Sequence, residues 1–84
     1  MNEREFSFEY NFTDGSEAQR SWAGKIVSSK IDDVFTMVAQ YGGEKFEKAS
    51  LQGIEFCNKM AAVTSAIYWI NNRDLNWKEI VKSL

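Results

Sequence analysis

Histidine and proline are absent from this chain of 84 residues, and cysteine occurs once, at Cys57. A single cysteine excludes an internal disulfide, and the lack of histidine removes the commonest metal ligand and the usual proton-transfer group near neutral pH. A reducing, cytoplasmic setting is therefore the expected one. No apolar run reaches the roughly 20 residues of a membrane-spanning helix. The N-terminal "MNEREFSFEY" sets Glu3, Glu5 and Glu9 where an export signal needs a cationic start and an unbroken apolar run. Repeats, low-complexity tracts and linkers are missing too, so residues 1–84 read as a single domain. Asn11-Phe12-Thr13 has the form of a glycosylation sequon, but it lacks a secretory context and is read as coincidence.

Aromatic residues are plentiful: three Trp, three Tyr and six Phe. Each offers roughly 150–250 Å² for burial, which matters in a domain of this size because its core is small. Apolar residues make up 44% and charged residues 26%, ordinary values for a folded domain. Twelve acids against ten bases leave a net charge of −2, which makes nucleic acid an unlikely first partner. Residues 1–42 carry seven acids and four bases, and 43–84 carry five and six, an asymmetry too slight to mark a binding tail.

In "EFSFEYNF", Phe6, Phe8, Tyr10 and Phe12 alternate with polar residues, the period of a strand with one aromatic face. A lone strand leaves its backbone groups unpaired, so it needs a partner, either residues 21–28 or the same strand of another copy. "TDGS" at 13–16 is turn chemistry, and Ser16 precedes Gln19 in a capping-box arrangement. Ala18, Trp22 and Ile26 then share a helical face, and helix is favoured over a second strand for residues 16–28. Ile31, Val34, Phe35, Val38 and Tyr41 predict a helix over about 30–41, with Asp32 and Asp33 in its first turn and Gly42-Gly43 ending it. A long helix is expected over about 50–71. Phe56, Met60, Val63, Ile67 and Ile70 form one of its stripes, and Leu51, Ile54, Cys57 and Ala61 the other. The uncharged "MAAVTSAIYWI", Met60 to Ile70, is its core segment, and one of Tyr68 and Trp69 is expected at the surface. A last helix, 76–84, follows a cap at Asn76 and Glu79. The expected fold is α+β and mainly helical: one N-terminal strand or hairpin (about 4–12) packed on three to four helices (about 16–28, 30–41, 50–71 and 76–84).

Catalysis has little to stand on. Cys57 has no base to activate it and falls on an apolar stripe, so it reads as a structural cysteine. Asp32 and Asp33 are adjacent and diverge on a helix, so they form no opposed acid–base pair. Glu44 and Glu47 alternate with Lys45 and Lys48 as a solvated surface does. "TDGS" has no phosphate-loop lysine and reads as an ordinary turn. No catalytic residue, cofactor or metal site is expected.

What remains is binding to another protein. Trp22, Tyr41, Trp69 and Trp77 belong to the residue types enriched at interface hot spots, although the plainer reading of each is core. Glu5, Glu9, Asp14, Asp32 and Asp33 are the carboxylates with which an acidic binder would approach a basic groove. The expectation is a small non-enzymatic protein that binds a protein partner, of the kind phages and mobile elements use as inhibitors of host machinery. A homodimer through the N-terminal strand is a further possibility. Two alternatives stand beside this. One is a small DNA-binding regulator, weakened by Glu44 and Glu47 on the helix that would face phosphates; the other is a homo-oligomeric structural or assembly protein.

Overall fold

The computed structural model describes residues 12–84. They form four helices: α1 (Glu17–Val38), α2 (Gly43–Ala61), α3 (Ala66–Asn71) and α4 (Trp77–Ser83). Among the described residues there is no strand, so the α+β expectation gives way to an all-helical arrangement, and the mainly helical part of it stands. The strand expected over 4–12 lies outside the described residues except for Phe12, which is half-buried against the core in irregular backbone. Residues 21–28, the alternative second strand, are helix.

α1 begins as its capping box directs. The Ser16 hydroxyl accepts from the Gln19 amide at 3.2 Å, and the Gln19 side chain accepts from the Ser16 amide at 2.8 Å. The helix then runs unbroken for 22 residues, where two helices had been expected with a break near Ser28-Ser29. Ala23, Val27, Ile31, Val34 and Val38 explain the continuity: they recur every three or four positions and are all buried, so tertiary packing overrides two polar residues of middling propensity. Asp32 and Asp33 consequently sit far inside α1 and not in a first turn.

α2 packs along α1 through a row of small residues. Ala49, Gly53 and Cys57, four apart, are buried with Met60, and Gly53 brings the two helices close enough that a Cβ there would stand 2.9 Å from Cγ2 of Val38. The connection between them ends at Gly43, whose φ of 59° lies in the region that favours glycine.

The expected helix over 50–71 is divided in two: α2 starts earlier, at Gly43, and ends at Ala61, and α3 starts at Ala66. The division is fastened from a distant part of the chain. Asp14 accepts from the Ser65 hydroxyl at 2.7 Å and from the Ala66 amide at 2.5 Å, and the Thr13 amide donates to the Thr64 carbonyl at 2.9 Å. Ser65 in turn accepts from the Tyr68 amide at 3.1 Å. A six-residue helix is too short to persist alone, and these caps together with burial of Ala66 and Trp69 hold it.

α1 touches all three other helices, and α4 also touches α2. Trp69 is fully buried and donates its indole N–H to the Val63 carbonyl at 3.3 Å. Truncating so large a core residue costs about 3–5 kcal/mol, a large share of a small domain's stability. Asn76 caps α4 by accepting from the Glu79 amide at 2.9 Å, and Trp77 packs its ring 5.3 Å from that of Phe56.

Candidate functional site

Among the described residues, the side chains expected to meet a partner do not converge. Glu5 and Glu9 lie outside the described residues. Asp14 is spent on the α2–α3 junction: the Ser65 hydroxyl, followed by the Ala66 and Ile67 amides, holds its carboxyl below the usual 3.8 against a partial desolvation that acts the other way. Trp69 is fully buried and Trp77 nearly so, leaving neither ring for an outside contact. Tyr68, beside Trp69, is half-buried, and its hydroxyl is enclosed without a partner among the described residues.

Trp22 and Tyr41 are exposed, at 46% and 45%. They stand apart, Trp22 near the start of α1 and Tyr41 in the connection that follows it. Trp22 is also engaged: the Arg73 guanidinium lies 5.3 Å from its ring centre. The Lys30 ammonium donates to the Arg73 carbonyl at 2.8 Å, tying the α3–α4 connection to α1. Asp32 and Asp33 are both exposed on α1, and the Asp32 carbonyl accepts from the Thr36 hydroxyl at 2.9 Å.

Among the described residues, the one exposed apolar group that gathers on a single element is on α2. Phe46 is 42% exposed, Leu51 72% and Ile54 39%. Phe46, Ser50 and Ile54 succeed one another at four-residue steps along the helix, and Leu51 sits beside Ile54 at three. Around them stand Glu44, Glu47, Lys48, Glu55 and Asn58, all exposed. This corrects the expected second buried stripe. Cys57 is in the core and Ala61 half-buried, but Leu51 and Ile54 face outward. The signal was present in the sequence. On a helix that starts at Gly43, Leu51 falls among Glu44, Glu47, Lys48, Glu55 and Asn58, a polar company that marks the solvent face.

Cys57 is 1% exposed, and burial pushes its thiol up to about 11, away from the thiolate that nucleophilic attack requires. Among the described residues no three carboxylate, cysteine or histidine side chains stand together as a metal site, and no helix is long and apolar enough to cross a membrane. Comparison with protein-family models, curated proteins and solved structures gives no match to this chain.

Proposed function

We propose that the protein acts by stoichiometric protein–protein association and that the outward face of α2 is its docking surface. The observation that carries this reading is the exposure of Leu51 and Ile54 in the middle of a 19-residue helix whose opposite face already builds the core. A domain with few apolar residues to spare leaves two aliphatic side chains in water at a cost that a partner would remove. The alternation of Glu44, Lys45, Glu47 and Lys48 suits a protein surface of mixed charge better than duplex DNA, where the carboxylates would meet phosphates.

Tagged wild-type protein and the variant L51K/I54K, used as baits in the producing cell beside an untagged copy, test the reading. The wild type should retain one protein at near-equimolar ratio, an untagged copy of itself included, and the variant should lose it while keeping its helical circular dichroism. Equal retention by both baits would remove α2 as the docking surface.

A further inference from the structure

We propose that the occupant of the α2 face is a second copy of this chain, the two α2 helices running antiparallel; this rests on the reading of α2 as the docking surface and names its partner. If Leu51 is placed at an a position of a heptad, Asn58 also falls at a, Glu47 and Ile54 at d, and Lys48 and Glu55 at e, all of them exposed. The residues that α2 gives to its own core occupy the remaining c, f and g positions, so a helix laid on the a and d seam disturbs none of them.

Antiparallel helices stack a on d of the partner. With the two-fold axis between Gln52 and Gly53, Leu51 meets the partner's Ile54 and Ile54 meets the partner's Leu51, closing an apolar centre of four side chains. One turn outward, Glu47 meets the partner's Asn58, a carboxylate facing an amide donor.

Charge selects the direction. In this arrangement e lies across from e, which sets Lys48 opposite the partner's Glu55 and Glu55 opposite the partner's Lys48. Parallel pairing would place Glu44 and Glu47 against their own copies along the seam. Glu55 already holds Lys59 within α2 at 3.8 Å, an exposed pair that a second cation joins without displacing. The seam is short, so the association depends on concentration.

Sedimentation equilibrium of the whole chain from about 1 μM to about 1 mM tests this. The wild type should rise from 9.7 kDa towards twice that mass. K48E alone and E55K alone each set like charges across the seam and should weaken association about tenfold or more. An equimolar mixture of these two single variants restores both pairs and should associate as the wild type does, as should the double variant K48E/E55K. All the substitutions are at exposed positions, and circular dichroism checks that the fold is kept. A wild type that stays at 9.7 kDa, or a mixture no tighter than its components, overturns the proposal. If the wild type stays monomeric and L51K/I54K still abolishes capture of a different protein, the docking surface stands and the second copy falls; if neither effect is seen, both fall.

Discussion

Gly53 faces Val38 across the α1–α2 contact so closely that a methyl group on it would lie 2.9 Å from Cγ2 of Val38 and 3.3 Å from Cγ1 of Val34. Valine in a helix has one strongly preferred rotamer, so neither side chain turns away at low cost. Gly53→Ala gains up to about 1 kcal/mol of helix propensity but meets an overpacking cost of about 1–3 kcal/mol. The expected net result is a loss of about 1 kcal/mol, larger for Gly53→Leu. Urea denaturation followed by tryptophan fluorescence measures it, and a stabilised Gly53→Ala protein would mean that the helices separate there without strain.

Asp14 makes the fold sensitive to acid. Its carboxyl is held below 3.8 in the folded chain, chiefly by the Ser65 hydroxyl. A carboxyl with a lowered folded pKa contributes stability that is present above the unfolded value and is lost as pH falls through the folded one. Asp14→Asn keeps the size and the carbonyl acceptor and removes the titration. Near neutral pH it should be less stable than the wild type, and the two should draw together as pH falls below about 4, the unfolded value, and on through the folded one. Urea midpoints of both proteins across that range decide it; a constant gap would show that the charge plays no part.

The hydroxyl of Tyr68 is enclosed and has no hydrogen-bond partner among the described residues, while the ring meets Trp69 edge-on at 5.5 Å. A buried donor left unmade costs about 1–3 kcal/mol, and Tyr68→Phe removes the donor while keeping the ring contact. Stability should rise by about 1 kcal/mol in a denaturant titration. A loss of that size would reveal a partner for the hydroxyl in solution.

Cys57 should be silent in the native protein. With the side chain 1% exposed and the thiol raised to about 11, an alkylating reagent at mildly alkaline pH reaches a thiolate only when α2 lifts from α1. The labelling rate, read by mass spectrometry, should climb with urea in step with unfolding. Rapid labelling without denaturant would place a local opening at the α1–α2 contact.

Those features whose causes are local were legible in the sequence. The Ser16–Gln19 capping box and the Asn76 cap are written within three residues and form as read. The stripe from Ile31 to Val38 was visible too, but its helix was expected to start only near residue 30, because propensity says nothing of what α2 and α3 cover. The break in "MAAVTSAIYWI" had one slight local sign, the cap residue Ser65, since neither glycine nor proline interrupts the stretch and its apolar residues fit one long helix. Asp14, some 50 positions earlier, adds to that cap by accepting from the Ser65 hydroxyl and the Ala66 amide, a contribution that no local window contains. The exposed face of α2 was hidden by the start expected for its helix: a helix drawn from residue 50 hides the charges at 44, 47 and 48 that show Leu51 to be on the wet side. The aromatic alternation of residues 4–12 led to a strand class that the described residues do not contain.

The fastening of Asp14 to Ser65 and Ala66 also bears on the order of events when the chain folds. α1 and α2 are joined by a short connection and their contact closes a small loop, whereas the Asp14 bonds span 51 and 52 positions. Loop-closure entropy makes the near contact the earlier one and leaves the far bonds to be tied after the transition state is passed. Substitution at Asp14 should then quicken unfolding and leave the rate of folding almost unchanged, so that this clasp governs how long the native protein lasts and not how soon it forms.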